Sequence, residues 1–226
     1  MKSCIILCSG ESLNEGIDLG LWKQIKGKDI WGLNSIFKYM PYNPTRQLWV
    51  DVSLFRHEAH NLQLMQKAGV QLHCKYHIHY AFLGDIINQH QCCREREFYS
   101  KNKMKDVSHL FIGQMGLVGF FATSLAIKEG YETIYLLGSD WGTKSNYERK
   151  THCYQDKIKD LDIKSSGAGN PGIYLDTHDK PNKKIQDWKI YLKEDVKIYN
   201  VSPNSNIECF EKIDYPTFFK KLKEHD

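Results

Sequence analysis

Residues 116–130, Gly-Leu-Val-Gly-Phe-Phe-Ala-Thr-Ser-Leu-Ala-Ile-Lys-Glu-Gly, lead within three residues into Thr133-Ile-Tyr-Leu-Leu137 and then Gly138-Ser139-Asp140-Trp141, and this passage decides the fold class. Leu117, Val118, Phe120, Phe121, Leu125 and Ile127 make a mostly buried helix that Gly130 can terminate. The run 133–137 is apolar on both faces, the pattern of a central strand covered by helices on each side. On either side of this passage, similar short runs near 3–8, 29–33, 46–50, 69–74 and 196–200 alternate with helical stretches. Such alternation predicts βαβ units and a mainly parallel sheet flanked by helices. From Gly138 to Lys180 the pattern lapses and Gly, Ser, Lys, Asp and Asn dominate. A stretch of that length inside a compact domain is expected to be a lid or binding loop.

The chain has 226 residues, 41% of them hydrophobic and 26% charged, which suits one globular domain and excludes disordered or fibrous classes. A net charge of +4 is far from that of a dedicated nucleic-acid-binding domain. No run reaches the roughly 18 apolar residues of a membrane span. The N-terminal run is short and reads as a first strand, not a signal peptide. Seven cysteines, an odd number without paired spacing, fit a reducing compartment, so a cytoplasmic location is expected. His73, Cys74, His77, His79, His90, Cys92 and Cys93 are zinc-capable, but they lack Cys-x-x-Cys or Cys2His2 spacing. They read as packing or surface residues, and no metal ligand is assigned.

Ligands of open parallel sheets bind beyond the carboxyl ends of the strands, where strand order reverses. The candidate site therefore consists of the residues immediately after each strand. Ser9, Gly10, Glu11 and Ser12 form a turn whose backbone N–H groups suit an anion. Neither Gly-x-Gly-x-x-Gly nor a Walker lysine is present. Asn34 comes after the second strand, Asp51 and Ser53 after the third, Asp140 and Trp141 after the fifth, and Ser202, Asn204 and Ser205 after the last. Together they point to a polyhydroxylated, phosphate-bearing ligand such as a nucleotide.

The segments Ile5-Ile-Leu-Cys-Ser-Gly-Glu-Ser-Leu13, Gly32-Leu-Asn-Ser-Ile-Phe37, Trp49-Val-Asp-Val-Ser-Leu-Phe55, Gly116 to Trp141 and Ile198-Tyr-Asn-Val-Ser-Pro-Asn-Ser205 resemble, in order and spacing, the bacterial lipooligosaccharide sialyltransferases. More loosely they are similar to 6-hydroxymethylpterin diphosphokinase-like proteins. The resemblance implies a single Rossmann-like α/β domain over 1–226 with a flexible lid at about 142–180. It also implies inverting transfer of a sugar from a CMP-type nucleotide-activated donor to an acceptor hydroxyl, with no cofactor required beyond the donor. On this basis Ser9, Gly10 and Asn34 meet the nucleotide, while Asp51 stands where the family has Asn. Gln114 and Gly116 fall at the donor-sugar contact, where the family has small hydroxyl residues. Tyr147 is the lid residue on the donor phosphate, and His178 is the general base, a role suited to an imidazole of pKa ~6.5.

Other functions share this scaffold. The acceptor is expected to be a glycan or, alternatively, a hydroxylated base in phage DNA. In the second case Arg94, Arg96, Lys101, Lys103 and Lys105, with Lys180, Lys183, Lys184 and Lys189, would meet phosphates. A pyrophosphokinase would need magnesium held by carboxylates such as Asp51 and Asp140. A nucleotide sensor would keep the fold without turnover.

Overall fold

The computed structural model describes residues 2–75, 87–90, 92–93, 112–113, 117–141, 153, 175–176, 180–181 and 187–224. The chain opens with β1 (Ser3–Leu7), α1 (Leu13–Asp18), α2 (Leu21–Gln24), β2 (Ile30–Leu33), a 3₁₀ turn (Asn34–Lys38) and β3 (Arg46–Trp49). Then come α3 (Val52–Lys67), β4 (Gln71–Lys75) and β5 (Asn88–His90). The strands β6 (Cys92–Cys93) and β7 (Ile112–Gly113) pair with each other in a separate two-stranded sheet. Next are α4 (Val118–Lys128), β8 (Thr133–Leu137) and a small antiparallel pair, β9 (Leu175–Asp176) and β10 (Lys180–Pro181). A 3₁₀ segment (Asp187–Lys193), β11 (Lys197–Val201), β12 (Glu211–Lys212) and α5 (Tyr215–Glu224) complete the order.

Eight strands form one sheet in the order β12-β11-β8-β1-β2-β3-β4-β5, with every ladder parallel. This is a Rossmann-like α/β fold. The six strands expected from the apolar runs are all present. The edge strands β5 and β12 escape that reading, because three and two residues carry no measurable period.

Alternation along the strands builds the two covered faces. Cys4 and Ile6 of β1 join Trp31, Ile134, Leu136, Phe120, Phe121 and Trp188 in one core layer. Their neighbours Ile5 and Leu7 join Leu13, Leu21, Tyr135, Tyr199, Tyr215 and Phe218 in the other. A third cluster seats Leu62 and Met65 of α3 on Trp49, Leu72 and Cys74. The buried helix predicted at 116–129 is α4. Gly130 ends it at φ +75, with Gly130 N–H bonded to Ile127 O and Tyr131 N–H to Ala126 O, the pattern of a Schellman stop. No helix among the described residues is long and apolar enough to cross a membrane.

The amino ends of the strands are tied by one polar network. Asp29 accepts Trp31 Nε1 at 3.1 Å and Thr45 Oγ1 at 2.5 Å, together with the Tyr131 hydroxyl. Arg46 pairs with Glu129 at 2.5 Å and lies over the Trp31 ring, 4.5 Å from its centroid. These contacts lock β2, β3 and the entry to β8 at one end. Asp29→Ala, which strands three donors at once, is expected to cost about 2–3 kcal/mol. Urea unfolding should show a lower midpoint at an unchanged slope; an unchanged midpoint would deny the network that role.

Candidate functional site

Strand order runs from β1 outward to β5, then returns to the other flank of β1 with β8, β11 and β12. The reversal falls between β1 and β8, so their carboxyl ends flank the crevice where such sheets bind ligands. Beyond the strands the two segments stay in contact: Cys8 N–H bonds Leu137 O and Gly10 N–H bonds Gly138 O, both at 2.8 Å. Neither glycine tolerates a side chain. A Cβ on Gly10 would lie 2.5 Å from both Gly138 O and Asp140 Oδ2, while Gly138 has φ +65 and backs onto Cys8 O.

Asp140 then turns inward. It is 6% exposed and accepts Ser12 N–H at 2.8 Å and the Ser12 hydroxyl, and Ser12 Oγ lies 2.7 Å from Ser202 Oγ. Burial raises its carboxyl above the usual range, and the hydrogen bonds from Ser12 and Ser202 oppose that rise. The N–H groups of Gly10, Ser12, Leu13 and Asn14 are spent on Gly138 O, Asp140, Gly10 O and Glu11 O. A protein carboxyl thus takes up donors in the turn that the sequence offers to a ligand anion.

The remaining strand-end residues divide into a buried frame and a rim. Ser202 and Ser205 are fully buried; Ser205 Oγ donates to Ser139 O at 2.7 Å and accepts Ile207 N–H at 3.1 Å. Ser9, Gly10, Glu11, Asn34 and Trp141 are half-buried, and Asp51 and Asn204 are exposed. Asp51 begins α3 without capping it; its carboxyl is raised by the protein around it and drawn back by Lys75. Asn34 and Trp141 are the non-glycine residues with positive φ among the described residues, at +50 and +55. Each is clamped: Gln47 Nε2 holds Asn34 O at 2.7 Å, and Asn206 Nδ2 holds Trp141 O at 3.0 Å. Strained backbone at both flanks of β1 is the kind that accumulates at binding sites. The Trp141 ring stands edge-on to Phe120 and Trp188, whose rings stack 4.2 Å apart.

Sequence reasoning missed Gln47, Asn206, Cys153 and Tyr215. Gln47 is a buried amide within a strand, a signal visible in Arg46-Gln-Leu-Trp49. Cys153 N–H bonds Ser9 O at 2.7 Å, returning the chain to the first turn. The Tyr215 hydroxyl is buried without a partner among the described residues, and its pKa is raised by burial and by Asp140, Glu15 and Cys153. Of the expected site residues, Gln114, Gly116, Tyr147 and His178 lie outside the described residues, as does most of the segment read as a lid. Compared with known protein families, curated proteins and solved structures, the chain matches none.

Gly10→Ala is expected to push β1 from β8 and so lower thermal stability; a variant with wild-type stability would refute the close approach. Asp140→Ala leaves the Ser12 amide and one hydroxyl of the Ser12–Ser202 pair short of an acceptor and should cost about 2–3 kcal/mol. Because the folded-state pKa of Asp140 is raised, its protonated form favours folding. That contribution is present below the unfolded pKa of ~3.9 and is lost as pH rises through the folded value. The stability of wild type relative to Asp140→Asn should therefore fall on going from pH ~4 towards neutrality, as read by denaturant melts; a flat difference would place the carboxylate in a solvated setting.

Proposed function

We propose that the protein transfers a sugar from a nucleotide-activated donor, of the CMP type by its resemblance, to an acceptor hydroxyl, with the donor seated between the ends of β1 and β8. The observation that carries this reading is the convergence of Gly10, Asn34, Asp140 and Trp141, from three separate strand ends, on the switch point of a parallel sheet. Gly10 and Gly138 hold the ends of β1 and β8 together, and a rim of Ser9, Glu11, Asn34, Asp51 and Asn204 offers hydrogen-bonding groups to ribose, base or sugar. With Asp140 using the Ser12 amide, the leaving phosphate calls for other donors, and the resemblance assigns that role to Tyr147. His178 takes the acceptor proton as the sugar departs through an oxocarbenium-like transition state.

The pyrophosphokinase reading draws less support, since Asp140 would have to leave a buried, hydrogen-bonded position to hold magnesium. One Asp-x-Asp triplet, Asp160-Leu-Asp162, does occur in the sequence, outside the described residues. A chelator arm therefore belongs in the activity assay, with metal-independent turnover as the expected result.

A thermal-shift panel of CMP-, UDP- and GDP-sugars tests the proposal. One donor class should stabilise the fold by about 2.7 kcal/mol at roughly a hundred times its dissociation constant. His178→Ala should retain that shift while turnover drops about 10²- to 10⁴-fold. Stabilisation by nucleoside triphosphates alone would overturn the reading, and transfer to a glycan or to hydroxylated DNA separates the acceptors.

A further inference from the structure

We infer that Gln47 is a positioning residue of the nucleotide site, acting through Asn34; the inference rests on the reading of the crevice as a nucleotide site. Gln47 lies in β3, is fully buried and stands directly across the β2–β3 ladder from Gly32. A Cβ on Gly32 would come within 2.8 Å of Gln47 Oε1 and 3.3 Å of Ile36 and Pro44, so the glutamine occupies the space that the missing side chain leaves. From there Nε2 donates to Asn34 O at 2.7 Å. Asn34 comes immediately after β2, where the ladder has ended with Leu33 opposite Leu48, and the bond gives its carbonyl a donor beyond that end. Its φ of +50 is a conformation that a residue with a Cβ adopts reluctantly. The far end of the same 3₁₀ turn is held as well: Lys38 Nζ pairs with Glu58 of α3, which is 8% exposed and accepts Asn61 Nδ2 at 2.8 Å. The turn that carries Asn34 is thereby fixed at both ends before a ligand arrives, which spares binding the cost of ordering it.

Stability alone does not account for an amide at this place. Gln47 Oε1 is buried without a partner among the described residues. An orphaned buried acceptor destabilises the fold, and an apolar side chain of the same shape avoids that penalty. Leu48 and Trp49, the residues that come after it in β3, are apolar and fully buried. The second contact of Nε2, with Leu48 O at 3.4 Å, is long. What the amide adds over a methionine of similar length is therefore the hold on Asn34. Because β2 neighbours β1 and Asn34 is half-buried at the rim, the backbone conformation of Asn34 decides the direction its side chain takes beside the crevice.

Isothermal titration of the full chain with CMP, UDP and GDP, the product nucleotides of the three donor classes, tests this alongside urea unfolding. Wild type should bind at least one of them. A turn that holds the competent conformation about a tenth of the time binds about tenfold more weakly, and Gln47→Met should show at least that loss. Its urea midpoint should stay at or above that of wild type, the opposite of what a purely structural role requires. In an Asn34→Ala background the same change should weaken binding no further, as a double-mutant cycle reads. If Gln47→Met does not fold by circular dichroism, Gln47→Leu carries the test in its place. Unchanged affinity, weakening that comes with a lower midpoint, or a loss that adds to that of Asn34→Ala overturns the inference and leaves the nucleotide site standing. Wild type that binds none of the three nucleotides overturns the nucleotide reading itself, and this role with it.

Discussion

The near contact of Gly10 with Gly138 is the constraint on which the rest of the molecule depends. Two backbones carry their hydrogen bonding past the ends of β1 and β8, and no Cβ fits between them. Because the turns stay together, Asp140 can reach Ser12, and Ser12 can reach Ser202. Three strands distant in sequence are thereby stitched into one platform. Remove that approach and the central ladder would still form, but the polar groups above it would have no common geometry.

Asp140 illustrates how a buried carboxyl can organise a site without being its reagent. Its charge is disfavoured by burial, yet three hydrogen-bond donors converge on it directly or through a neighbour. The bonds leave a group that fixes the shape of the turn.

Much of the scaffold is legible in the residues themselves. The apolar runs locate six strands, Gly130 marks the end of α4, and the polar residues at the strand ends mark the crevice. What escapes is non-local. Ser202 reads as a ligand contact because polar residues come after β11, but its partner lies 190 positions earlier. Ser205 reads the same way and instead staples the segment after β11 to Ser139. No periodicity reports such pairings, and no local pattern marks the left-handed conformations of Asn34 and Trp141, which are imposed by Gln47 and Asn206 from elsewhere in the chain. His73 and His90 likewise sit 17 positions apart and become neighbours only through the ladder.

The Asp29 network lies at the opposite end of the strands from the crevice, and the separation bears on how the chain can evolve. The ladder is thus tied at both ends, by Asp29 at one and by the Gly10–Gly138 approach with Asp140 at the other, so the residues free to drift are those of the rim. A lineage built on this chain could change what it recognises by altering Asn34, Asp51 or Asn204 while Asp29, Arg46 and Tyr131 continue to hold the strands in register. The sheet behaves as a beam clamped at both ends, open to innovation only along the rim.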